Sequence, residues 1–146
     1  MTAQGSYSWA QDMPKHCPLT GSIPTTGILF RIVYNSPPDD DDFLMTVDDP
    51  HQIHYGFRDE CGELSERFGD LPKDKQCDAF ATSHFDNIKN CRRIAIHKNR
   101  TANVKIAEVN LKPSLGVMKE TRPNHFSVWF DVSAQPWSCV VKIHPV

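Results

Sequence analysis

The chain has nothing approaching the roughly 18 consecutive apolar residues that a membrane-spanning helix requires. Its first residues, MTAQGSYSWAQDMPKH, lack the basic start and apolar core of a secretory signal. Neither GxGxxG nor GxxxxGK[ST] occurs, and HExxH and GxSxG are also missing. The sequence signatures of dinucleotide folds, P-loop enzymes, zincins and serine hydrolases are thereby excluded. There is no CxxC pair and no internal repeat. The five cysteines, at 17, 61, 77, 91 and 139, are odd in number and widely spaced. This predicts reduced thiols in a cytoplasm, each serving as a small hydrophobe, rather than a disulfide framework. A zinc site drawn from Cys61, Cys77, Cys91 and His84 would need the fold to bring them together; their spacing marks no cluster, and no metal is expected.

What is present suits one domain: 146 residues, enough to build a core without staples. The net charge of −2 conceals two opposed halves. Residues 36–86 hold fourteen acidic side chains against Arg58, Arg67, Lys73 and Lys75, whereas residues 87–146 hold ten Lys or Arg against Glu108, Glu120 and Asp131. A coherent patch of one sign attracts its opposite, so the layout predicts either mutual neutralisation within the domain or a face that steers a partner.

Local patterns predict an α+β domain over 27–146, with a mostly antiparallel twisted sheet, one main packed helix and a shorter one. Residues 1–26, with Pro14, Pro18 and Pro24 among glycines, read as an irregular N-terminal arm. ILFRIVY, 28–34, is rich in β-branched and aromatic residues and predicts a central strand. Its pleat sets Arg31 beside Leu29 and Val33 on a largely apolar face, where an unpartnered cation is costly. Arg31 is therefore expected to be semi-buried and held by a carboxylate or by backbone carbonyls. Pro37 and Pro38 end the strand, and the DDDD that follows is expected to be a solvated loop, since it has neither the glycine nor the later glutamate of a calcium loop. A short helix is expected within 58–69. A longer one is expected over 73–88, where Cys77, Phe80, Ala81, His84, Phe85 and Ile88 form a stripe with His84 on the buried side. Beyond residue 90 the alternation predicts strands at 93–97, 104–110, 125–132 and 139–143, with a bulge near Ala107 or Glu108.

Two ways of engaging a partner are written in the composition. Asp39, Asp40, Asp41 and Asp42 on a loop, with Tyr7 and Trp9 on the arm as aromatic anchors, suit docking to a protein with a basic face. Arg92, Arg93, Lys98 and Arg100 form a basic span able to touch phosphates, although no helix-turn-helix or aromatic RNA-binding pattern accompanies it. The first of these predicts a small cytoplasmic accessory or protein-binding domain with no cofactor.

The early strand with a central arginine (ILFRIVY), the later hydroxyl segment (ATSHFD) and the expected split β core together resemble small bacterial ADP-ribosyltransferase-like proteins over residues 28–132. The resemblance implies an NAD-binding enzyme or toxin. Arg31 would hold phosphate or ribose, Ser83 would support the nicotinamide pocket, and a late glutamate, Glu108 or Glu120, would orient the acceptor. Transfer from NAD also needs an aromatic or apolar slot, for which Tyr34, Phe85 and Trp129 are the candidates. If the late glutamate is missing, the resemblance implies the fold without transferase chemistry.

Overall fold

The computed structural model describes residues 7–99 and 103–146. Residues 1–6 of the arm, and Arg100 of the basic span, lie outside that range. Seven strands form one antiparallel sheet: β1 (Ile23–Pro24), β2 (Gly27–Val33), β3 (Thr82–Phe85), β4 (Lys105–Leu111), β5 (Gly116–Arg122), β6 (His125–Phe130) and β7 (Val140–His144), in the order β1-β5-β6-β3-β2-β4-β7. The described helices are α1 (Glu66–Gly69), α2 (Lys73–Ala79) and α3 (Ile88–Lys98). The α+β class expected from the sequence is what the chain adopts, and no described helix is long and apolar enough to cross a membrane.

The sheet is nearly two sheets. β2 pairs with β4 along its whole length, from Gly27↔Leu111 to Val33↔Lys105, and β3 pairs with β6 from Thr82↔Val128 to Phe85↔His125. Between the halves, β2 and β3 share one register pair, Phe30↔Phe85. Apolar residues fill both faces. One cluster gathers Phe68, Phe80 and Trp129, a second Leu29, Val33, Phe43, Val109 and Val128, and a third packs Cys91 and Ala95 of α3 on Phe85, Val104 and Ile106. The register of β4 against β7 shifts between Glu108 and Val109, where the slip in apolar phase predicted a bulge.

Several expectations are corrected. The helix expected over 73–88 stops at Ala79, and ATSHF becomes β3 and the turn leading into it. The three-four stripe there is real but accidental, because Thr82–Phe85 finds a full partner in β6 and ladder bonding outweighs local periodicity. Residues 93–97 are not a strand but lie within α3. Ile94 and Ile96, whose alternation suggested a strand, are exposed, while Cys91 and Ala95, four apart, are fully buried. Asn87 is the start signal, its side chain accepting from the Lys89 N–H at the helix N-cap. The short helix within 58–69 contracts to α1, capped by Ser65. β5 had no counterpart in the sequence reading.

The arm and the cysteines also differ from expectation. Cys17 and Cys77 form a disulfide, leaving Cys61, Cys91 and Cys139 free. The expectation that all five thiols are reduced is overturned, because the fold brings residues 60 apart in sequence to a Cα separation of 5.2 Å, within bonding range. Cys61 is exposed and Cys91 is on the buried face of α3, so the zinc set considered from the sequence does not come together. The described part of the arm is stitched to the domain by this bond, by β1 pairing with β5, and by Ser8 accepting from the Val132 N–H at 2.9 Å.

Candidate functional site

Arg31 stands where the two halves of the sheet part. Beyond Phe30↔Phe85 the ladder stops, and the guanidinium fills the opening: Nε donates to the Asp42 carbonyl at 2.7 Å and Nη1 to the Ser83 carbonyl at 2.8 Å. The Phe43 ring lies 5.6 Å below. Arg31 is 8% exposed and held by backbone carbonyls, as its apolar strand face required. Burial lowers its pKa, opposed by the charges of Asp49 and Asp42, and it stays a cation. Nη2 donates to no described residue, so the fork keeps donors for an anion.

The acidic run is built inward as well as outward. Asp40–Phe43 forms a 3-10 turn capped by Asp39. Asp42, 3% exposed, accepts from the N–H groups of Tyr34 at 2.7 Å, Asn35 at 3.2 Å and Asp39 at 3.3 Å. The expected solvated loop of four aspartates is thus corrected: Asp42 closes the end of β2 and is not available to a partner, whereas Asp39, Asp40 and Asp41 are exposed. Neither aromatic anchor is free. Tyr7 donates its hydroxyl hydrogen to the Pro113 carbonyl, and both Tyr7 and Trp9 pack on the Trp129 cluster.

Beside Arg31 opens a cleft of about 340 Å³ whose walls include Tyr34, Asp49, His51, Ser83, Phe85 and His125. The rings of Tyr34 and His51 stack at 3.5 Å with an interplanar angle of 5°. A second hollow of about 270 Å³ shares Ser83, Arg122 and His125 with the first and extends to Asp78 and Ser127. The two are lobes of one groove across the split in the sheet.

Of the residues singled out from the sequence, Arg31, Tyr34, Ser83 and Phe85 line this cleft, although 54 positions separate the first and last. Trp129 does not: it is 1% exposed, and its indole N–H donates to the Cys77 carbonyl at 2.8 Å. Glu108 lies on β4 bonded to His144 Nε2 at 2.8 Å, and Glu120 accepts the Asn124 N–H in the β5–β6 hairpin at 3.1 Å. Neither glutamate lines the cleft. Arg92, Arg93 and Lys98 of the basic span lie on α3, where a strand was expected over 93–97.

His84 is wholly buried, as its stripe implied, with Nδ1 near the hydroxyl and carbonyl oxygens of Thr82. Its Nε2 has no partner among the described residues. Burial, then the Arg31 charge, pushes its pKa well below the usual histidine value and keeps it neutral. Sequence reasoning missed Asp78, Thr121, Arg122 and Ser127, and left His125 without a role. Only the polar phase of HFSVWF, which sends His125 and Ser127 to one side, hinted at them. No family model, curated protein or solved structure matches the chain.

Proposed function

We propose that this chain is an ADP-ribosyltransferase-like domain that binds NAD in the cleft beside Arg31. The observation that carries the reading is the convergence of Arg31, Ser83, Tyr34 and Phe85, the residues to which the resemblance assigns phosphate and nicotinamide contacts, on one groove. The sheet, split except at Phe30↔Phe85, supports it as well. A buried guanidinium with unused donors suits a pyrophosphate, and ring walls suit a planar heterocycle. The positions of Glu108 and Glu120 argue against either as the residue that orients an acceptor. A disulfide persists in oxidising surroundings, which favours a site of action outside the reducing cytoplasm.

Calorimetry with NAD tests the reading on the wild type, on Arg31→Ala and on Ser83→Trp, with folding checked by circular dichroism. Ser83 is exposed, so a tryptophan there fills the groove without disturbing the core. Saturable binding lost in Ser83→Trp is the expected result. Absence of heat up to millimolar NAD would instead favour an accessory domain that docks a basic partner through the exposed Asp39–Asp41 turn.

A further inference from the structure

The second lobe of the groove contains four side chains bonded in a line. Ser127 Oγ on β6 donates to Asp78 Oδ1 on α2 at 3.0 Å. Thr121 Oγ1 on β5 lies 3.2 Å from Ser127 Oγ and 2.9 Å from His125 Nδ1. Proton counting fixes the direction, because each hydroxyl has a single hydrogen. Ser127 directs its hydrogen to the carboxylate, so Thr121 must donate to Ser127. Thr121 can then only accept from His125, whose proton is placed on Nδ1. The remaining nitrogen, Nε2, carries a lone pair and takes no hydrogen bond from a described residue. Phe85 meets the His125 ring edge-on, with centroids 5.3 Å apart at 77°, and steadies it where it lines both lobes.

Burial shifts both ends of the line, in opposite directions. Burial, then the charge of Arg122, lowers the His125 pKa to about 4, so the imidazole is neutral and as basic as an ordinary carboxylate. Burial raises the Asp78 pKa, against the opposing pull of Ser127, Lys75 and Arg122, and makes this carboxylate a better proton acceptor.

We propose that Asp78, Ser127, Thr121 and His125 form a proton-transfer chain that activates water, so that the domain hydrolyses NAD to ADP-ribose and nicotinamide. The proposal rests on the NAD-binding reading above. In the step, a lone pair of the water oxygen forms a bond to C1′ of the nicotinamide ribose. The C1′–N bond breaks, and its electron pair leaves with nicotinamide, discharging the pyridinium. The proton released by water passes to His125 Nε2. The Nδ1 proton moves to Thr121, the Thr121 hydrogen to Ser127, and the Ser127 hydrogen to Asp78. Asp78 ends neutral and His125 ends as the other neutral tautomer, so one positive and one negative charge disappear together. His125 touches the reacting water and is catalytic in this scheme; Thr121 and Ser127 are relays.

Nicotinamide release by the full chain, followed by chromatography as a function of pH, tests the proposal alongside NAD affinity from calorimetry. His125→Ala and Asp78→Asn are each expected to slow turnover about 100-fold or more, the usual worth of a positioned base. Thr121→Val interrupts the chain and is expected to lose about 10- to 100-fold in kcat with NAD affinity within about threefold, while Thr121→Ser restores the rate. The acid limb of the wild-type pH profile is expected to lose its Asp78 component in Asp78→Asn and to keep the one set by His125, which protonates at about pH 4. Glu120→Gln is expected to match the wild type. Wild-type protein that binds NAD but releases no nicotinamide overturns this proposal and leaves the binding reading standing, as does a Thr121→Val variant with undiminished turnover. Failure to bind NAD overturns both.

Discussion

Arg31 joins two parts of the chain that the sheet leaves unpaired, and its removal would strand the Asp42 and Ser83 carbonyls around a void. Arg31→Ala is expected to lower stability by about 2–4 kcal/mol in urea denaturation, from unsatisfied acceptors and lost packing together. Arg31→Lys is expected to recover only part, since an ammonium lacks the planar fork that reaches both carbonyls. Equal stability of all three proteins would show that the contacts are incidental. His125 supplies a second residue-scale prediction. The folded protein keeps it neutral down to about pH 4, whereas the unfolded chain protonates it near about 6.5. Between these values the unfolded state binds more protons, so stability falls as pH drops. The loss from His125 between about pH 7 and pH 5 is expected to be roughly 2 kcal/mol. His84 acts in the same direction, and Asp78, whose carboxyl is shifted upward, opposes both at the acid end. His125→Asn should therefore flatten the slope of stability against pH; an unchanged slope would contradict the assignment.

At the level of elements, the hairpin joining β5 to β6 carries Thr121, His125 and Ser127, so its register decides whether the hydrogen-bonded line exists. Gly116 begins that pairing opposite Phe130, and a Cβ there would sit 2.0 Å from the Trp129 carbonyl oxygen. Backbone is what it meets, so neither strand can yield by a side-chain rotation. Gly116→Ala is expected to cost about 2 kcal/mol or more and to weaken protection of the β5 and β6 amides in hydrogen exchange. Protection equal to wild type would show that the strands part without penalty. α3 illustrates the converse. Its Cys91 and Ala95 are small, and their size lets the helix lie close on Phe85 and Ile106 beneath the cleft.

For the whole molecule, the bond between Cys17 and Cys77 closes a loop of 60 residues that runs through β2 and the acidic turn to α2. Chain-entropy reasoning gives such a closure about 4 kcal/mol of stability, through restriction of the unfolded state. Reduction, or the pair Cys17→Ser and Cys77→Ser, is expected to lower the urea midpoint accordingly. It also loosens the region bearing Asp78, which follows Cys77 directly. Thiol titration in denaturant should count three free thiols without reductant and five with it. Five in both conditions would remove the cross-link and, with it, the case for an oxidising environment.

Much of the frame was legible in the residues alone. ILFRIVY declared a central strand because apolar side chains occupy both phases of its pleat, and the same pattern required partners for Arg31. HFSVWF declared β6, and the broken phase of VKIAEVNL declared the irregularity at Glu108. These features depend on the spacing of neighbours along the chain, which periodicity records. The stretch 80–98 misled because its three-four stripe and its later alternation each fitted an element that local bonding permits; the ladder to β6 and the burial of Cys91 and Ala95 chose differently. The pairing of Cys17 with Cys77, the inward turn of Asp42 and the line from Asp78 to His125 left no local trace. Each depends on distances between residues remote in sequence, and such distances exist only after the sheet has ordered its strands.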